Sequence, residues 1–253
     1  MIAALVLLAS AIGPAPAVLE YEGRAYVPED GRLLYRETHY IFEADGRSQR
    51  LVLYRCPDGS PFARKTIVYG EDPLAPAFEL IDRRANYREG MRRGADGRLE
   101  VFFEKGWLDR SRRVSIPVVD GLVADAGFDE FVRRNWDRLA REGEAEFSFL
   151  VPSRLAASRF RVTRVGSERL GDGEAATRFR LAITGFFAWF APSIEVLYRD
   201  RDRWLLRYEG LTNIRDRRGR NLSARIEFDA EARVVNHIRL EQARRIPLAS
   251  DCP

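Results

Sequence analysis

An Asp-Gly pair supplies the positive φ that a tight hairpin needs, and this chain places such pairs between nearly all of its alternating segments. They are Asp30-Gly31, Asp45-Gly46, Asp58-Gly59, Asp96-Gly97, Asp120-Gly121 and Asp172-Gly173, with Arg218-Gly219-Arg220 in the same role. Between them apolar and polar residues alternate, as in Arg159-Phe160-Arg161-Val162-Thr163, Arg178-Phe179-Arg180-Leu181 and Ala224-Arg225-Ile226-Glu227-Phe228. A period of two with one polar face means antiparallel sheet, dry on one side and wet on the other. Strands are predicted near 18–27, 32–44, 47–56, 62–69, 78–90, 98–105, 144–152, 157–166, 174–184, 193–199, 203–210, 221–229 and 234–241.

One segment changes period. Phe128, Phe131, Val132, Trp136 and Leu139 form a helical stripe. Asp129 and Glu130 suit its N-terminus, Arg138 and Arg141 its C-terminus, and Gly143 its stop. The expected fold is therefore mainly β: an antiparallel, strongly curved sheet or half-open barrel of about 12 strands, with one amphipathic helix over 128–142 plugging a face. Residues 18–253 read as one β-rich domain, the helix allowing two sheet halves. A Pro/Gly/Ser linker that would mark a full boundary is missing. A transmembrane barrel needs an apolar outer face framed by aromatic girdles; these strands are densely charged, and the last residues are Ser250-Asp251-Cys252-Pro253.

Met1 to Ala17 carries no charged side chain and ends in Ala15-Pro16-Ala17. Its apolar run from Ile2 to Ile12, about eleven residues, suits a cleavable export signal and is too short to span a bilayer. Residues 1–17 are therefore read as a signal peptide, although Lys and Arg are absent before the apolar run. An uncleaved anchor and a buried N-terminal strand are the alternatives. A periplasmic or secreted location is expected. With no Cys near Ala17, a lipid anchor is not.

Basic residues number 42 against 38 acidic, for a net charge of +4. The signs interleave, as in Arg199-Asp200-Arg201-Asp202-Arg203, whereas a nucleic-acid surface gathers its cations and interleaves them with stacking aromatics. No nucleic-acid partner is expected. Cys56 and Cys252 match no metal spacing and are read as a disulfide, two free thiols being the rival.

Catalytic signatures such as G-x-S-x-G, the P-loop, H-E-x-x-H and G-x-G-x-x-G are absent. His39 and His237 could form a metal site only if strand pairing joined them to Glu37 or Glu241; they read as unremarkable strand residues. Glu100, Glu104, Glu144 and Glu146 sit at strand spacing, and paired acids could hydrolyse glycosides. Their Arg and apolar neighbours mark them as solvent-face residues instead. No catalytic residue, metal or cofactor is expected, and the balance leans away from an enzyme.

The most distinctive text is Gly185-Phe186-Phe187-Ala188-Trp189-Phe190-Ala191-Pro192. It is either a buried turn capping the barrel end or an aromatic lip for an apolar ligand or a membrane surface. Phe186, Phe187, Trp189 and Phe190, with Trp136 of the helix, are the ligand-binding candidates. Tyr and Arg also recur side by side, at Tyr35-Arg36, Tyr54-Arg55, Tyr87-Arg88, Tyr198-Arg199 and Arg207-Tyr208, so they take opposite faces of a strand. The Arg face is expected outward.

The texts Leu197-Tyr198-Arg199-Asp200, Trp204-Leu205-Leu206-Arg207-Tyr208-Glu209-Gly210, Phe128-Asp129-Glu130-Phe131 and Phe149-Leu150-Val151-Pro152-Ser153-Arg154 resemble exported bacterial proteins classed as a domain of unknown function. A looser likeness is to periplasmic lipoprotein carriers, whose open barrel shields acyl chains behind a helix. That likeness implies a non-enzymatic protein binding an apolar or amphiphilic molecule such as lipid in a barrel cavity of roughly 300 Å³ or more. An envelope scaffold or interaction module with a filled core is the alternative, and a hydrolase using carboxylates in a cleft the second.

Overall fold

The computed structural model describes residues 17–106, 111–185, 192–216 and 218–252. The turn chemistry does what it should: Asp45 and Gly46 both take positive φ, 53° and 68°, closing a two-residue hairpin with Ala44 opposite Arg47. Such reversals build an antiparallel meander of β1 (Val18–Tyr26), β2 (Leu33–Ala44), β3 (Arg47–Arg55), β4 (Pro61–Val68), β5 (Ala77–Asp82), β6 (Tyr87–Arg93), β7 (Leu99–Lys105) and β8 (Arg112–Ile116). The short β9 (Leu122–Ala124) follows, then the helices α1 (Gly127–Arg134) and α2 (Trp136–Glu142). They cross over to β10 (Glu144–Val151), which runs parallel to β9.

A second meander returns through β11 (Ala156–Arg169), β12 (Ala175–Ile183), β13 (Ile194–Arg199), β14 (Trp204–Arg215) and β15 (Asn221–Phe228). There β15 pairs with β1, Gly23 opposite Phe228. β16 (Arg233–Val235) adds to the other end of β1, and α3 (His237–Arg245) follows. The described residues thus form one 16-stranded sheet with β8 and β9 as its edges, not closed into a barrel. Its ends curl over each other instead. Leu122, Ala124 and Leu150 of the β9–β10 end pack on Ile67, Phe78, Met91, Leu99 and Val101 of the β4–β7 end.

The mainly β, strongly curved sheet is as expected, but its strands number sixteen, not about twelve. The segment 78–90 is two strands because Asn86 takes a φ of 40° and reverses the chain without a glycine. β8 and β9 are short and lie outside the alternating text. The strand predicted at 234–241 is instead β16 and α3, started by Asn236, whose side chain accepts from the Arg239 N–H. The helix predicted over 128–142 is two helices broken at Asn135, whose side chain donates to the Phe131 carbonyl at 2.9 Å. Gly143 stops α2 at a φ of 81°, as expected.

Phe131, Val132 and Leu139 of these helices pack on Phe147, Val162, Phe179, Leu181 and Tyr198. At the start of α1 a Cβ on Gly127 would lie 1.8 Å from the Leu74 carbonyl oxygen. That oxygen accepts from Ala124 N–H at 2.9 Å, so the glycine lets α1 seat against the 70–76 loop. On the opposite face of the sheet, Leu240 and Ala243 of α3 cover Tyr40, Phe42, Leu51 and Leu53. The Cys56–Cys252 disulfide is present, with Cα atoms 5.6 Å apart. No helix among the described residues is long and apolar enough to cross a membrane. The signal peptide expected over residues 1–17 lies outside the described residues except for Ala17.

Candidate functional site

Strand register decides what fills the curled sheet. Tyr21 pairs with His39, His39 with Val52, Val52 with Lys65, Lys65 with Leu80, Leu80 with Glu89 and Glu89 with Phe103. Directly paired residues share a face, so this whole rung points into the lumen. The Lys65 ammonium donates to Asp125 Oδ1 at 2.7 Å, and Asn213 Nδ2 meets the same oxygen at 3.4 Å. Tyr87 donates to Glu89, and Arg215 donates to the Tyr87 hydroxyl at 3.0 Å. Burial pushes the Tyr21 phenol up to about 12 and the Glu89 carboxyl above its usual range.

His39 lies flat on Tyr21, with ring centroids 4.4 Å apart, and its Nε2 is 3.2 Å from Glu37. Burial lowers its pKa against the pull of that carboxylate, so the folded protein keeps the imidazole neutral. As pH falls through the ordinary value of 6.5 the unfolded chain takes up a proton that the folded chain refuses. This contribution is present above 6.5 and is lost as the pH falls below it. Replacing His39 by Phe should flatten the acid-side decline of the urea midpoint. Glu89 acts with the opposite sign at lower pH, so the difference between wild type and variant is the diagnostic quantity. Parallel declines below pH 6.5 would remove His39 from the account.

The lumen is thus occupied by paired charges, tyrosines and aliphatic side chains. Strand phase accounts for its cations: Arg50 falls in phase with Val52 and Tyr54, and Lys65 with Ala63 and Ile67. The Tyr-Arg pairs themselves follow expectation at Tyr35, Tyr54 and Tyr87, which are buried while Arg36, Arg55 and Arg88 are not. Arg199 departs from it: buried, it clamps Asp202 at 2.6 Å and the Ala230 carbonyl at 2.9 Å.

His39 faces the lumen, whereas His237 opens α3 and is exposed, so the two are not brought together. Among the described residues no group of three His, Cys, Asp or Glu is placed to hold a metal. Glu100 pairs with Arg92, Glu104 with Arg88, and both Glu144 and Glu146 with Arg161, as solvent-face acids do. Trp136 is half-buried, edge-on to Phe179 at 5.4 Å and to Tyr198 at 6.2 Å. Phe186, Phe187, Trp189 and Phe190 lie outside the described residues.

A pocket lies outside the sheet, where α3 crosses β2 and β3. It holds about 560 Å³ and is lined by Tyr40, Arg55, Arg239, Gln242, Ala243, Arg245 and Ile246. Three guanidinium groups and no carboxylate line it. Arg55 stands directly opposite Arg36, and Arg36 opposite Arg24, a row of like charges that repel. Arg24 is compensated by Asp229 at 3.1 Å and Glu22 at 3.3 Å. Arg36 has no ion-pair partner among the described residues. Arg239 is held by both oxygens of Glu20 at 3.0 Å, and burial with the nearby Glu20 pushes the Tyr40 phenol up.

Fold and site together define a mainly β, barrel-like protein with buried side chains lining its lumen and a cationic external groove. No family model and no curated protein matches the chain. Among solved structures it is similar to a beta-barrel-like protein of the domain of unknown function DUF1849 from Brucella abortus, the kind of protein that the resemblance in its sequence names. The TM-score is 0.47 at 8% identity, over 88% of this chain and 98% of that one. It is also similar to an uncharacterized conserved protein from Thermus thermophilus, with a TM-score of 0.26 and 14% identity over 93% of this chain and 89% of that one. At these scores neither likeness bears on the groove.

Proposed function

We propose that this protein is a non-enzymatic binding protein that takes the anionic head of an amphiphilic molecule into the groove between α3 and the β2–β3 strands. The observation that carries this is the convergence of Arg55, Arg239 and Arg245 on a pocket with no acid in its lining: Glu20 and Glu241 pair with Arg239 and Arg245 from outside it, while Arg55 and the neighbouring Arg36 have no counter-ion among the described residues. A phosphate or carboxylate there accepts charge-assisted bonds from planar guanidinium forks and relieves the Arg36–Arg55 repulsion. Ala243, Ile246 and the Tyr40 ring supply apolar contact for the first carbons of a tail. The leader, read as an export signal, supports a periplasmic or secreted site of action. The ligand then sits outside the curled sheet and not in its lumen.

Titration calorimetry with dodecyl phosphate and dodecyl maltoside tests this. Wild type should bind the phosphate and not the maltoside. Arg55→Gln and Arg245→Gln should each weaken binding by roughly tenfold, the worth of one hydrogen bond to a charged group, while Arg138→Gln on α2 leaves it unchanged. Equal binding of both detergents, or retention of affinity in the groove variants, would sink the reading.

A further inference from the structure

Two acids pair with the arginines of α3 around the groove, and each already serves two guanidinium groups. Glu20, its side chain fully buried, holds Arg233 and Arg239. Glu241 holds Arg244 at 2.7 Å and Arg245 at 3.5 Å. Neither acid reaches the strands. Arg55 of β3 donates to the Gly59 carbonyl at 3.0 Å, a neutral partner, and Arg36 stands directly opposite it on β2. Neither arginine has an ion-pair partner among the described residues. The row continues to Arg24 on β1, but there Asp229 and Glu22 supply the balancing charge.

The groove is thus bordered by two adjacent, uncompensated guanidinium groups. Neighbouring strands lie about 5 Å apart and both arginines are half-buried, so water screens their repulsion only in part. A monoanion balances one of them; a dianion balances both. At neutral pH a terminal phosphate monoester puts nearly two charges on one tetrahedral centre, with three oxygens to meet a guanidinium fork from each strand. A carboxylate or a phosphodiester carries one charge and two free oxygens. We infer that the groove selects a dianionic phosphate monoester, held between Arg36 and Arg55, over monoanionic head groups. This inference rests on the groove reading and names the head group. Arg239 and Arg245 reach the same group from α3 while still paired to their acids, so the uncompensated charge comes from the strands.

Calorimetric titration of the full chain with hexyl phosphate, hexyl sulfate and inorganic phosphate tests it, at a pH well above the second phosphate pKa of about 6. The two esters share tail, shape and oxygen number, and differ by one charge. Wild type should bind hexyl phosphate about tenfold more tightly than hexyl sulfate, the worth of one further charge-assisted bond. Arg36→Gln should erase that preference by lowering phosphate affinity about tenfold while sulfate affinity stays close to wild type. Arg24→Gln, in the same row but at a compensated position, should keep the preference. Equal binding of the two esters by wild type, or a preference untouched by Arg36→Gln, overturns the dianion inference and leaves the groove reading standing. Inorganic phosphate should bind at least tenfold more weakly than hexyl phosphate. Equal affinity for the two would make free phosphate the ligand, which ends the amphiphile reading and supports the dianion inference. Failure to bind hexyl phosphate, hexyl sulfate and dodecyl phosphate alike ends both.

Discussion

Reducing the Cys56–Cys252 disulfide should lower the free energy of unfolding by about 2–5 kcal/mol, with the upper end set by the chain-entropy model for a very long loop. The bond joins residues 196 apart, so it constrains most of the unfolded chain. Cys56 is fully buried among Tyr35, Tyr54 and Phe62. Around the bond, the tail after α3 is tied to β4: Arg64 donates to the Ala243 and Ile246 carbonyls at 3.1 and 2.6 Å, and Ala249 N–H to the Pro61 carbonyl at 2.6 Å. Without the disulfide the tail keeps only non-covalent contacts such as these and the packing of Ile246 and Leu248, and α3 loosens over the groove it roofs. Urea titrations with and without a thiol reductant, followed by far-UV circular dichroism, should show the midpoint fall while the native spectrum persists. Cys56→Ala/Cys252→Ala should behave like the reduced wild type. An unchanged midpoint would mean that the tail is held equally well without the bond.

Lys65→Met should cost about 3–5 kcal/mol, the penalty for leaving one member of a buried ion pair without its partner. Lys65 and Asp125 have side chains only 10% and 9% exposed. Asp125 lies between β9 and α1 and depends on Lys65 for its charge-assisted bond, the Asn213 contact being long at 3.4 Å. Losing Lys65 strands a carboxylate in the lumen and loosens the β9–α1 corner from β4. Lys65→Met/Asp125→Asn should recover most of the loss, because Asn tolerates the positive φ of 44° at that position and carries no charge. Chemical denaturation of the two variants measures this directly. A single variant within about 0.5 kcal/mol of wild type, the range of ordinary surface changes, would show that the pair does not hold the corner.

What the sequence disclosed follows the range of the physics involved. Hairpin positions, the wet and dry faces of strands such as β12 and β15, and the Phe131-Val132-Leu139 stripe depend on neighbours a few residues away. The β5–β6 reversal was hidden because Arg83-Arg84-Ala85-Asn86 has no glycine and Asn86 does that work instead. α3 was hidden because His237-Ile238-Arg239-Leu240 continues the alternation of the strands before it. The cap at Asn236 was the available signal. The lumen ion pairs could have been found by following strand phase through Arg50 and Lys65. The groove could not, because Tyr40, Arg55 and Arg239 meet only when a helix from late in the chain packs on strands from early in it.

The place of β1 has a consequence for the order of assembly. Flanked by β2 on one side and β15 on the other, the earliest strand is completed by one of the last. During synthesis β1 to β8 can zip together progressively, yet one rim of β1 waits for Asn221–Phe228. Such long-range closure slows folding, and until it happens an unpaired strand rim stays open to wrong partners. The same wiring leaves β8 and β9, neighbours in sequence, at opposite rims of the sheet. A nick within residues 117–121 would therefore divide the chain into two complete meanders that still share the β1–β15 seam.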